Sequence, residues 1–192
     1  MKPFRRRRRG GICATFEPGE AQVLSSLAGQ VVELLRDRSG TQEADPDPLA
    51  AELGLGAGPT LPPEDPVLQR LLPDAYREDA DDAAEFRKFT ERSLTSTKAA
   101  NAETLITTLV DSGFDPGDES DRPVEVELSP DQVQAWLRSL TDVRLALAVR
   151  LGIETDDDAL AVHESDDEAT AAMADVYDWL GYVQESLVVA LE

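Results

Sequence analysis

The chain has few of the side chains on which most catalytic and metal sites depend. Its 192 residues include one cysteine, Cys13, and one histidine, His163. A single cysteine excludes a disulfide within the chain. A zinc enzyme, a Ser-His hydrolase or a Cys-His protease would each need His163, which we expect instead at the C-terminal end of a short helix, where a cation is favoured. We therefore predict a protein that is not an enzyme, with no catalytic residues, no cofactor and no metal.

Long apolar runs and phosphate-binding loops are also missing. No stretch of about 18 apolar residues occurs, which excludes a spanning helix, and the basic start is not followed by the apolar run of a secretion signal. The glycine-rich run at 54–58 lacks the Gly-Lys-Ser/Thr of a nucleotide-binding loop. The acidic clusters at 156–158 and 166–167 do not follow the calcium-loop pattern. Together with the single cysteine, which is typical of a reducing compartment, these absences predict a cytoplasmic protein without a membrane partner.

Positive charge is scarce beyond the first ten residues. The chain carries 39 acidic and 18 basic side chains, for a net charge of −21, and six of the basic groups precede Gly10. Because an acidic surface repels phosphates, we do not expect direct binding to DNA. The arginine run binds either the acidic body of the chain or an acidic protein partner, and it consists of Arg5, Arg6, Arg7, Arg8 and Arg9.

Apolar periodicity predicts the fold class. Short alternating segments at 4–8, 12–16 and 124–128 indicate strands, whereas the other apolar positions recur at helical spacing. We therefore predict a mainly α-helical, bundle-like single domain over residues 1–192, with a small sheet of two or three strands. A Pro/Gly-rich segment at 39–64 is predicted to be a flexible connection within it.

Helix boundaries follow from local signals of differing strength. Ser129 and Gln132 form a capping box before a long apolar pattern, and Ser165 and Glu168 are predicted to form a second one. Residues 79–111 form either one helix or two, since their middle is polar. We expect Ala83, Phe86 and Phe89 to begin the buried stripe of that helix.

The C-terminal helix has an apolar stripe along its whole length, which includes Leu180. A stripe of this width either packs into the core or forms a contact between copies of the chain. We favour the core, which leaves a homo-oligomer through this helix as the alternative. The stripe consists of Ala169, Met173, Val176, Leu180, Val183, Leu187 and Ala190.

Cys13 is the redox candidate. A hairpin around Gly10 and Gly11 would place the arginine run opposite Cys13, and nearby cations favour the reactive thiolate. On this interpretation peroxide oxidises Cys13 readily. The alternative is that Cys13 is a small buried hydrophobic residue, which is the usual role of a free cysteine.

Two stretches carry a family resemblance. Residues 65–77 read DPVLQRLLPDAYR and residues 83–91 read AAEFRKFTE. With the basic start and the Ser129-Pro130-Asp131 helix, these signature stretches resemble an actinobacterial family, formerly of unknown function, named for the oxidative-stress transcriptional regulator AosR. The resemblance implies a cytosolic regulator that binds a protein such as a sigma factor or an RNA polymerase component.

The resemblance also suggests where contact with a partner would occur. Leu71, Asp74 and Tyr76 are the interaction candidates, although the same residues would be specific if they only maintained the fold. A redox switch made of two cysteines is excluded, because the chain has Cys13 alone. The alternative function is therefore an acidic adaptor or structural interaction module with no redox role.

Overall fold

The computed structural model describes residues 1–7, 11–40, 58–76, 78–117 and 121–192. In this part of the chain six helices pack around a three-stranded sheet, so the predicted fold class is confirmed. In chain order the elements are β1 (Lys2–Arg6), β2 (Ile12–Phe16), α1 (Pro18–Gly40), α2 (Pro66–Leu71), α3 (Ala80–Asp111), β3 (Val124–Leu128), α4 (Pro130–Leu151), α5 (Asp156–His163) and α6 (Glu168–Val189).

The sheet is antiparallel, in the order β1-β2-β3. The strand predicted at 4–8 instead runs from Lys2 to Arg6. The reason is the turn: the Arg7 N–H donates to the Gly11 carbonyl at 3.0 Å, which ends the strand at Arg6. Gly11 has a φ of +84°, a conformation that glycine adopts without steric cost.

One face of the sheet carries the core. Phe4 of β1, Phe16 of β2 and Trp136 of α4 form an aromatic cluster with ring centroids 5.7 to 5.9 Å apart. The C-terminal helix α6 packs against β1 and α4 and fully buries Leu180. From Val176 to Ala190 the predicted apolar stripe therefore packs into the core, whereas Ala169 and Met173 at its start are exposed. The other face of α6 exposes Tyr182, Val188 and Val189.

The segment at 79–111 is one continuous helix, α3, capped by Asp79. Its polar middle packs between α1 and α4, where Lys98 has an ion-pair partner but the buried Thr95 hydroxyl has no hydrogen-bond partner among the described residues. Lys98 Nζ lies 2.5 Å from Asp142 Oδ1 of α4, and Ala99 and Ala102 allow close packing. Burial raises the pKa of Asp142, although its hydrogen bond to Lys98 opposes the shift.

The two predicted capping boxes had different outcomes. Ser129 and Gln132 form both hydrogen bonds of the box at the start of α4. The box predicted for Ser165 and Glu168 was wrong, because α6 starts later and Asp167 caps it. The Asp167 carboxylate accepts the Thr170 N–H at 2.9 Å, and hydrogen bonds from Thr170 lower the pKa of Asp167.

Part of the connection predicted at 39–64 is held in place. Residues 39 and 40 belong to α1, while residues 41–57 lie outside the described residues. Gly58 donates to the Lys88 carbonyl at 2.8 Å, and the carbonyls of Thr60 and Leu61 accept from Arg87 and Arg38. None of the helices in the described ranges is long and apolar enough to cross a membrane.

Candidate functional site

The described arginines of the predicted run behave differently from one another. Arg5 and Arg6 are exposed on the edge strand β1. Arg7 instead reaches across β2 to two carboxylates of β3: its Nη1 lies 2.8 Å from Glu127 Oε2, and its Nη2 binds Glu125. Arg7 thus folds back onto the acidic body of the chain. Arg8 and Arg9 lie outside the described residues.

Cys13 lies on the outer face of the sheet, opposite Arg5 in the register of β1 and β2. Its side chain is nevertheless only 2% exposed. Interaction with Cys13, together with the carboxylates of Glu127 and Glu125, raises the pKa of the Arg7 guanidinium. The thiol is therefore beside a cation, as predicted, but has little contact with solvent.

His163 ends α5, as the sequence predicts, and binds two carboxylates of α6. Its Nε2 lies 3.0 Å from Asp178 Oδ2, and its Nδ1 lies 3.6 Å from Asp175 Oδ1. The two carboxylates approach different ring nitrogens, so the three side chains do not converge on one point. Among the described residues, no group of three or more His, Cys, Asp or Glu side chains could hold a metal ion.

The residues that carry the family resemblance come together in space. The turn after α2 and the first half of α3 enclose a cavity of about 340 Å³ that is open to solvent, and we call it the signature groove. Nine of its twelve lining residues belong to the two signature stretches. The groove is lined by Leu72, Pro73, Asp74, Ala75, Ala83, Phe86, Arg87, Thr90, Glu91, Ser93, Leu94 and Thr97.

A buried network of charges supports the signature groove. Glu91 is 3% exposed and accepts from Arg38 Nε of α1 at 2.7 Å. Arg87, 7% exposed, donates to Asp74 and to the carbonyl of Thr60. Its Nε has no hydrogen-bond partner and lies 3.9 Å from Glu91 Oε2. The network therefore links α3 to α1, to Thr60 and to the turn after α2. These contacts fix the base of the groove.

The rim of the signature groove is aromatic and exposed. Tyr76 and Phe86 pack edge to face, with ring centroids 6.0 Å apart, yet remain 49% and 45% exposed. Phe89 and Leu94 on the same helix are also exposed. Large apolar side chains exposed side by side typically mark a binding surface.

Comparison with known proteins adds a family to this geometry. A family model described as a domain of unknown function, DUF2017, matches residues 1–191. The chain belongs to the DUF2017 family. It is 32% identical over 191 residues to the oxidative stress regulator AosR of Mycobacterium tuberculosis (strain ATCC 25618 / H37Rv) and of Mycobacterium bovis, with 93% of this chain and 81% of each relative covered. No solved structure matches the chain.

The three interaction candidates from the signature stretches lie at different depths. Tyr76 is exposed at the rim, and Asp74 lines the signature groove as the ion-pair partner of Arg87. Leu71 is buried in the core, so it supports the fold and offers no surface to a partner.

Sequence reasoning missed two features of the signature groove. Phe86 and Phe89 were expected in a buried stripe and are exposed, which makes that prediction wrong. The buried pair Arg87 and Glu91 was not singled out, although their spacing of four residues places them on one helix face. The available signal was this four-residue spacing of Arg87 and Glu91, together with Asp74 in the other signature stretch.

Proposed function

We propose that this chain regulates the response to oxidative stress by binding another protein in the cytoplasm, and not by catalysis. The name that its mycobacterial relatives carry supports a regulatory role. The observation that carries the contact mechanism is the signature groove, where Tyr76 and Phe86 stay about half exposed on a rigid, charge-linked base. Because these two rings are already held at a fixed surface, binding a partner there costs little further side-chain entropy.

The partner that we propose belongs to the transcription machinery, either a sigma factor or an RNA polymerase component. This choice rests on the family resemblance. The strongly acidic chain supports a protein partner over direct contact with DNA, since a net charge of −21 opposes approach to phosphates.

The burial of Cys13 supports the second candidate function, an adaptor with no redox role of its own. A thiolate must reach hydrogen peroxide to attack its O–O bond, which forms sulfenic acid and releases hydroxide. In the folded chain Cys13 is only 2% exposed, which limits that approach. In the adaptor the oxidant would be sensed by the partner, and Cys13 would be a packing residue.

Capture from the organism's own cells, with and without peroxide, tests the proposed function. The full-length chain, Phe86→Ser and Tyr182→Ser would be tagged and compared. Tyr182 is the matched control, because it is 48% exposed on α6 and remote from the groove residues in the chain. We expect the wild-type chain and Tyr182→Ser to recover a sigma factor or polymerase subunit, and Phe86→Ser to lose it. Recovery of no transcription component under either condition would refute the proposal.

A further inference from the structure

The signature groove is long enough to hold a helix. On α3 its wall runs from Phe86 to Thr97, a span of twelve residues that covers about 16 Å along the axis. Phe86, Thr90 and Leu94 follow one another at spacings of four and so form one ridge. The turn residues Leu72 and Pro73 form the opposite wall. A groove about three helical turns long suits one amphipathic helix.

The lining of the groove defines one face of that helix. Apolar groups contribute most of the exposed lining, and the exposed rings of Tyr76 and Phe86 extend it at the rim. The buried charges below are already paired, since Arg87 binds Asp74, and Arg38 binds Glu91. The side chains that fill the groove are therefore apolar, because a charged one would be desolvated without a free counter-ion.

The charge around one end of the groove defines the flanks of that helix. Six acids and one base, Arg77, occur between residues 74 and 85. All six acids are exposed, and they precede or begin α3. Arg87, the next cation on α3, is buried and paired with Asp74, and Lys88 after it lies over the ring of Phe89, 5.6 Å from its centroid. The six acids are Asp74, Glu78, Asp79, Asp81, Asp82 and Glu85.

We infer that the signature groove binds a single amphipathic helix of the partner, with an apolar face in the groove and lysine or arginine residues near the acidic start of α3. This inference names the chemistry of the partner at the same site and so rests on the proposed function. Opposite charge at the rim speeds association and fixes the direction of the bound helix, while the apolar face supplies most of the affinity.

Designed peptides test the inference without knowledge of the natural partner. The probes are a labelled helical Leu/Lys peptide of about 14 residues, a scrambled Leu/Lys peptide with no apolar face, and an amphipathic Leu/Glu peptide. Binding to the full-length chain is measured by fluorescence anisotropy at low and high salt. We expect the amphipathic Leu/Lys peptide to bind at least about tenfold more tightly than either control.

Variants separate groove binding from general attraction to an acidic protein. Phe86→Ser should weaken the Leu/Lys peptide about tenfold or more, because a rim anchor is lost, while Tyr182→Ser should bind like the wild type. Asp82→Asn should reduce the salt dependence more than Asp157→Asn on α5. Equal binding by Phe86→Ser and the wild type would overturn the inference, as would tighter binding of the Leu/Glu peptide.

The two proposals fail in different ways. One outcome is that Phe86→Ser fails to capture the transcription partner and still binds the Leu/Lys peptide as tightly as the wild type does. In that case the inferred partner chemistry is wrong and the proposed function stands. If the peptide binds the groove as expected but no transcription component is ever captured, the proposed function is wrong and the groove still binds a basic helix.

Discussion

Arg38 on α1 donates to Glu91 on α3 at 2.7 Å, in a contact from which solvent is almost excluded. Through Glu91 this pair lies next to Arg87, which in turn binds Asp74 at the edge of the signature groove. A chain of opposite charges therefore links the groove to α1.

Removal of Glu91 should destabilise the protein strongly. Glu91→Ala leaves Arg38 and Arg87 with an unbalanced buried charge, and breaking a buried pair in this way costs about 3–5 kcal/mol. Glu103→Ala is the matched control, since Glu103 also joins α3 to α1, at 2.7 Å from Arg36, but at an exposed site where a pair contributes at most about 1 kcal/mol. Urea unfolding of both variants makes the comparison, and equal losses would contradict the account of the network.

Leu180→Asp should unfold the chain. Leu180 is fully buried on α6, and an aspartate there would place an unpaired charge in the core. Tyr182→Asp, two residues further on the same helix, changes a half-exposed side chain and should leave the fold intact. Circular dichroism and the melting temperature report both effects. An unchanged melting temperature for Leu180→Asp would show that α6 does not pack as described.

Asp142 should make the stability depend on pH in a direction opposite to that of a typical ion-paired carboxylate. Burial raises its pKa in the folded state, so the native protein binds this proton more tightly than the unfolded chain does. As the pH falls through the raised pKa, the cost of the buried charge disappears and the free energy of unfolding increases.

Comparison with Asp142→Asn isolates this effect from the other carboxylates. Between about pH 7 and pH 4, the wild type should gain stability relative to the variant as the pH falls, as measured by urea unfolding. A relative stability that stays constant or falls with the pH would show that Lys98, rather than burial, controls Asp142.

Cys13 should react slowly in the folded protein because it is buried beside Arg7. We expect mass spectrometry after peroxide treatment to show less oxidation of the native wild type than of Arg7→Gln or of the urea-unfolded chain. Arg5→Gln is the control, since Arg5 lies opposite Cys13 in the strand register, whereas it is Arg7 that interacts with the thiol. Rapid oxidation of the native wild type at low-millimolar peroxide would restore Cys13 as the redox sensor.

Local signals in the sequence predicted the elements of this fold well. The box formed by Ser129 and Gln132 was correct because it depends only on neighbouring residues. The second box was wrong because Asp167, a stronger acceptor with Thr170 three residues beyond it, competes with Ser165 for the helix start. The bounds of β1 were predicted two residues too late because they depend on the turn at Gly11, which pattern alone does not define.

The signature groove could be predicted only in part. Periodicity shows which residues share a helix face, but it does not show whether another element covers that face, and Phe86 was for this reason placed in the core. The contact of Arg87 with Asp74 spans thirteen residues, and that of Arg38 with Glu91 spans fifty-three. Contacts at such separations come from tertiary packing, which one sequence does not reveal.

Radical footprinting of the full-length chain, alone and with its captured partner, tests most directly whether the signature groove is the contact surface. Tyr76 and Phe86 at the groove and Tyr182 on α6 are about equally exposed, so the three rings serve as probes of equal starting accessibility. We predict that binding lowers oxidation of Tyr76 and Phe86 and leaves Tyr182 unchanged. Protection of Tyr182 with no change at Tyr76 and Phe86 would contradict this account.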